Sequence, residues 1–153
     1  MVTKKLVKTL LYLHPNIDSL FKKLEKQLSL LCSFGFISNN TYAVEILVDK
    51  ILTAQARLDT AKLIDNVIGT ACNLLDRIDK EIIKEYYFDG TCIEDIAKRM
   101  DKYPTFILYR KERALKKLAQ YMYILGINRE LIIQYFDDES MMIDCAIRAE
   151  GDK

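Results

Sequence analysis

Glycine and proline are scarce, with five and two residues in a chain of 153. Turn-rich all-β folds use more of both, so this scarcity favours long uninterrupted helices. Histidine occurs once, at His14, and no two cysteines form a C-x-x-C pair, so a closed zinc site lacks ligands at the usual spacing. The four cysteines, Cys32, Cys72, Cys92 and Cys145, are widely scattered; a chain of this size needs no disulfide staples, and they read as buried thiols. No stretch approaches 18 consecutive apolar residues, the length a membrane-spanning helix needs. The N-terminus, MVTKKLVKTLLYLHPN, places basic residues before a short apolar run as a signal peptide does, but Lys8 interrupts that run and the small-residue cleavage pattern is missing. A cytoplasmic location is expected. Catalytic equipment is missing too: there is no nucleophile beside a base, no paired carboxylates and no phosphate-cradling glycine loop. His14 beside Pro15 reads as a surface or capping histidine and Asp137-Asp138-Glu139 as a solvated loop, so neither an enzyme nor a metal or cofactor protein is expected.

What the chain does have is apolar content: half of its residues are hydrophobic and 29% are charged, enough to bury a core in one domain or in a small domain with a helical extension. The net charge of +1 hides a division along the chain. Ile96 to Gln120 holds eight basic residues against two acids, whereas Arg129 to Lys153 holds seven acids against three basic residues. A basic stripe is what a polyanion-binding surface requires, because neutralising phosphates releases their counterions.

Helical spacing dominates the first half. Pro15 sits where a helix can begin, and Ile17, Leu20, Leu24, Leu28 and Leu31 then recur at three and four residues to about Cys32. Ser33 to Asn40 reads as a connection, with Thr41 as a cap for the next helix. Val44, Leu47, Ile51, Ala54, Leu58, Ala61, Asp65, Ile68, Cys72 and Leu75 continue the pattern, broken only by Asp65, as one or two long helices. Such a seam needs a partner. Residues 15 to 32 can fold back on it as an antiparallel hairpin, or a second copy of the chain can cover it as a coiled coil.

Between Leu74 and Leu118 the punctuation sharpens into three helices. Ile78, Ile82, Ile83, Tyr86 and Tyr87 form one face of the first, which Asp89-Gly90 ends. Thr91-Cys92-Ile93-Glu94 has the form of a capping box opening a short second helix that buries Ile93, Ile96, Ala97 and Met100 and ends at Asp101-Lys102. Pro104 opens a third helix, buried along Ile107, Ala114 and Leu118. Two helices joined so tightly cross steeply, and Ala97 supplies the small side chain the crossing needs. At 100° per residue from Ile107, Thr105, Tyr109, Glu112 and Lys116 point outward, with Leu108 and Arg113 beside them and Lys102, Arg110 and Lys117 flanking. That is the layout of a helix-turn-helix.

Glu94-Asp95-Ile96-Ala97-Lys98-Arg99-Met100, a short turn, Ile107 and Arg113-Ala114-Leu115-Lys116-Lys117-Leu118 resemble the promoter-recognition domain, the fourth conserved region, of sigma-70-type factors. Ile82 to Thr91 is similar to that family's lead-in helix and turn. The resemblance covers roughly Leu74 to Leu118, under a third of the chain. It implies a third helix in the major groove of double-stranded DNA and a contact with RNA polymerase. On it, Pro104, Thr105, Leu108 and Tyr109 fall on base-facing positions, and Lys102, Tyr103, Arg110 and Arg113 near the backbone. The chain departs from the family pattern where Asp101 replaces the turn glycine, Tyr103 the Ser or Thr cap, and Leu108 a position often polar or basic. The N-terminal 70 residues have no tryptophan and no interleaved basic and aromatic residues, unlike a promoter-melting region. A helical front followed by such a domain resembles instead the ArpU and RinA type of small phage and prophage regulators of Gram-positive bacteria.

The expectation is therefore an all-α chain in three stretches: a helical hairpin or coiled coil over 1–73, a helix-turn-helix over 74–120 and short acidic helices over 121–153 that pad the core or dock a protein. The DNA-binding set is Lys98, Lys102, Tyr103, Pro104, Thr105, Leu108, Tyr109, Arg110, Arg113, Lys116 and Lys117. The expected function is a DNA-binding transcriptional regulator, dimeric through its helical front. The alternative is an adaptor that keeps the domain for contact with RNA polymerase or another protein, without DNA readout.

Overall fold

The computed structural model describes residues 2–34 and 41–152; among them the chain is all-α, with no strand. Helix α1 (Lys4–Leu13) starts at Thr3, whose hydroxyl accepts the Leu6 amide at 3.2 Å. A tight turn over His14–Asn16, with Pro15 in its first positions, leads into α2 (Ile17–Phe34). Helix α3 (Thr41–Asn73) is one uninterrupted element, about 50 Å long at 1.5 Å per residue. The predicted connection over Ser33 to Asn40 and the Thr41 cap fall largely outside the described residues and side chains.

Of the two ways to cover the long seam, the fold uses the intramolecular one: α2 packs back on α3 as an antiparallel pair. At one end His14 Nδ1 lies 3.1 Å from Asp65 Oδ1, so the single polar break in the α3 stripe meets the only histidine. At the other end Leu30 and Leu31 face Ile46 across a groove of about 620 Å³.

Helix α4 (Arg77–Ile83) continues as a π-helical turn over Lys84–Phe88; α5 (Ile93–Met100), α6 (Pro104–Ile124), α7 (Arg129–Phe136) and α8 (Ser140–Gly151) follow. One apolar core runs from Val2 to Ala149 and draws on all three stretches of the chain. Its centre is α1, in which every residue from Val7 to Leu13 is buried against α8, α6, α3 and the π-turn. The short apolar run before Pro15 is thus part of a central helix. Ile132, Phe136, Met142, Cys145 and Ala149 of α7 and α8 pad this core.

Several local expectations are corrected. Cys92, not Thr91, is the N-cap of α5: its carbonyl accepts the Ile96 amide at 3.1 Å, while the Thr91 amide is spent on Glu85 O at 2.8 Å as the chain leaves the π-turn, so no capping box forms. Ile78 is exposed and Asp79 takes the buried position. Cys72 and Cys145 are buried but Cys32 and Cys92 are exposed. Glu139 is not solvated: it is buried between Lys23 (2.7 Å) and Arg57 (3.2 Å), where the exposed face of α2 and the stem of α3 meet the α7–α8 turn.

The last described residue closes a polar cluster inside the apolar core. Asp152, whose side chain is 2% exposed, accepts hydrogen bonds from the Tyr86 and Tyr87 hydroxyls, both at 2.7 Å, and lies 3.1 Å from Lys111 Nζ and 3.3 Å from Lys8 Nζ. Lys111 also sits over the Tyr86 ring, its Nζ 4.0 Å from the centroid. Burial works against the charge on Asp152, yet the hydrogen bonds from Tyr86, Tyr87 and Lys111 outweigh it, and the carboxyl is held below its ordinary value. Burial first, then the carboxylate they serve, pushes both tyrosines up.

Candidate nucleic-acid interface

Helices α4, α5 and α6 share a small core of their own, Ile82, Ile96, Ala97 and Ile107, with Tyr86 linking it to the main one. Gly90, at φ +71°, ends the π-turn in a left-handed conformation that costs a residue without Cβ nothing. Helix α5 carries Glu94 and Asp95 in its first turn and Lys98 and Arg99 in its last, matching charge to the helix dipole at both ends. It stops at Asp101, whose φ of 53° and ψ of 49° are left-handed, and whose amide, with that of Lys102, closes back on Ala97 and Lys98 carbonyls. This position asks for glycine, and aspartate is one of the few other residues that tolerates it. Tyr103 in extended conformation and Pro104 in the first turn then launch α6. Ala97, buried at the crossing, lets the two helices approach.

The face of α6 expected to look outward does so over its first two turns. Tyr103 is 82% exposed, Tyr109 66% and Leu108 39%, and Pro104 and Thr105 are exposed. Ile107, Lys111, Ala114, Leu115 and Leu118 line the opposite, buried side. A groove of about 670 Å³ between α5 and the start of α6 is lined by Lys98, Asp101, Lys102, Tyr103 and Pro104, among others. Lys102 and Arg110 hold the Phe106 ring between them, 5.7 and 5.9 Å from its centroid.

The basic residues divide into four groups. Lys98, Lys102 and Lys116 are exposed and make no ion pair among the described residues. Arg110, Arg113 and Lys117 turn sideways to the start of α4: Arg110 Nε is 2.5 Å from Asp79 Oδ1, Lys117 Nζ is 3.6 Å from Asp79 and 3.1 Å from Asp76, and Arg113 is 3.3 Å from Asp76. Arg99 of α5 pairs with Glu81 of α4 and Glu85 of its π-turn. Lys111 points inward to Asp152. The structure therefore brings Lys98, Lys102, Tyr103, Pro104, Thr105, Leu108, Tyr109 and Lys116 to the solvent face, and sets Arg110, Arg113 and Lys117 along a flank already shared with two carboxylates.

Spacing held the signal for the residues that sequence reasoning missed. Lys111 falls in the stripe Ile107, Lys111, Ala114, Leu118, and Asp79 in the stripe Leu75, Asp79, Ile82, Ile83. A charged residue on an apolar stripe is a prompt to look for its partner.

Among the described residues no group of His, Cys, Asp or Glu is placed to hold a metal ion, and no helix is long and apolar enough to cross a membrane. No family model, curated protein or solved structure matches the chain.

Proposed function

We propose that this chain is a DNA-binding transcriptional regulator that sets the first two turns of α6 in the major groove of double-stranded DNA. The observation that carries the reading is the exposure of Thr105, Leu108 and Tyr109 on a helix fixed to the body by its opposite side. Thr105 and Tyr109 can hydrogen-bond a base edge and Leu108 can meet a thymine methyl. Lys98, Lys102 and Lys116 supply phosphate contacts, which specify no sequence but position the helix. The likeness to sigma-70-type factors and to ArpU- and RinA-type phage regulators supports the same reading and adds RNA polymerase as a partner. A second copy packed against the exposed Val48 and Leu52, which share one face of α3, would make the regulator a homodimer.

Selection of bound fragments from a random duplex library at near-physiological salt tests this reading. Enrichment of one motif is expected, and its two-fold symmetry reports the dimer. Tyr109→Ala changes the enriched sequence, whereas Lys116→Gln weakens binding to every sequence and lowers the salt slope by about 1. A library that emerges unenriched, with no duplex retained even at low salt, refutes it. The adaptor reading then takes its place. Two observations favour that second reading: Arg110, Arg113 and Lys117 are occupied within the chain, and Ile133, Ile143 and Ile147 are exposed along an α7–α8 groove edged by Asp137 and Glu150.

A further inference from the structure

Asp76 is the N-cap of α4, with φ −57° and ψ 153°, yet its side chain makes no capping hydrogen bond. An aspartate there ordinarily accepts an amide hydrogen of the first turn. Here Oδ2 turns to α6 instead, 3.1 Å from Lys117 Nζ, 3.3 Å from an Arg113 guanidinium nitrogen and 3.9 Å from one of Arg110. Three cations converge on one carboxylate oxygen. The Lys117 hydrogen bond, ahead of its charge and those of Arg113 and Arg110, holds the Asp76 carboxyl below its ordinary value. The inner side of the cluster is served by Asp79, fully buried against Arg110. Asp76, with a side chain 55% exposed, is the solvent-facing member.

Arg113 lies one turn beyond Tyr109 and Lys117 one turn beyond Arg113, so both follow the flank of the face that meets DNA. An oxyanion arriving from solvent meets these two cations where Asp76 Oδ2 now stands. Carboxylate and phosphate oxygens make the same charge-assisted bonds to guanidinium and ammonium groups.

We infer that Asp76 is an internal stand-in for a DNA backbone phosphate: it keeps Arg113 and Lys117 paired while the protein is free and cedes them to the phosphate when a duplex docks. This rests on the DNA-binding reading and adds to it a residue that reads no base and sets the affinity for all sequences alike. The cost of exchange is that of two exposed ion pairs, each a factor of about 1.5 to 5 in an equilibrium constant.

The test is titration of a labelled random-sequence duplex with the full chain at about 50 mM salt, where non-specific binding is strong. Asp76→Asn keeps a capping residue while removing the charge, and thermal melting checks its fold. It should bind about three- to tenfold more tightly than wild type. Asp89→Asn, which removes an exposed acid with no ion pair among the described residues, should change affinity much less. In an Arg113→Gln, Lys117→Gln background the gain from Asp76→Asn should vanish. If Asp76→Asn binds no better than Asp89→Asn, or its gain survives without Arg113 and Lys117, the exchange is wrong while the DNA reading stands. If neither wild type nor Asp76→Asn binds duplex, the DNA reading falls and takes the exchange with it.

Discussion

Replacing Asp152 with alanine removes the only carboxylate seen among four buried polar groups, and the structure sets the size of the effect. Lys111 is 1% exposed and Lys8 6%, so neither ammonium regains water while the fold persists, and the Tyr86 and Tyr87 hydroxyls lose their acceptor together. Breaking a buried ion pair by deleting one partner costs about 3–5 kcal/mol. That is a large part of the roughly 5–15 kcal/mol that holds a typical domain folded. Urea denaturation of the full chain followed by circular dichroism measures it. With a urea slope of about 2 kcal/mol/M, the midpoint should fall by roughly 2 M. The sign with pH follows from the lowered carboxyl. Its contribution is complete above the unfolded-state value near 4 and is lost as pH falls through the lower folded-state value. Wild type should therefore lose stability in acid more steeply than Asp152→Asn, which has already lost this contribution. Adding Lys111→Met to Asp152→Asn should recover part of the loss, since a buried cation without a partner costs more than a packed apolar side chain. An Asp152→Ala midpoint within about 0.3 M of wild type would refute the reasoning, because Lys111, Tyr86 and Tyr87 would then have lost their shared acceptor at no cost.

Two further outcomes rest on local geometry. Asp101→Gly relieves a left-handed aspartate and should raise stability by about 0.5–1 kcal/mol after the extra entropy of the unfolded glycine is counted, read as a higher melting temperature; a lower one contradicts the strain. Burial pushes the Cys72 thiol up to about 11 and also raises Cys145. A thiol-exchange reagent at pH 8 should therefore modify Cys32 and Cys92 first and reach the buried pair only in denaturant; four equally fast thiols would contradict their burial.

Periodicity made the helices readable because each rests on an apolar stripe: Ile17 to Leu31 and Val44 to Cys72 emerge as α2 and α3, and Pro104 marks the start of α6. The outward set on α6 came from the same arithmetic. Charge was harder to read. Summing basic residues over 96–120 treats Lys111 like Lys116, although one is buried and the other exposed. Summing acids over 129–153 counts Glu139 and Asp152 as surface charge, when each neutralises lysine or arginine inside the fold. A charge total carries sign and not direction, and direction depends on partners that are distant in sequence: Lys23 for Glu139, Lys8 for Asp152. The same distance hid α1, whose short length and three lysines give no sign of burial until α8 and α6 close over it.

The ion pairs along α6 bear on what its exposed face can do. Apolar packing alone tolerates rotation of a helix about its axis, since Ile107, Ala114, Leu115 and Leu118 present a broad stripe. The polar anchors are less forgiving. Lys111 must reach Asp152 on one side while Arg110, Arg113 and Lys117 reach Asp79 and Asp76 on another, and a turn of one residue position, 100°, breaks both sets at once. A groove-reading helix needs this constraint more than it needs stability, because base-edge hydrogen bonds are lost with a small fraction of that rotation. The charges that look wasted inside the chain thus fix the azimuth of Thr105 and Tyr109. On the proposed DNA-binding reading, a chain with apolar residues at positions 8, 79, 110, 111 and 152, which removes both partners of each buried pair, should keep the fold and lose preference among duplex sequences.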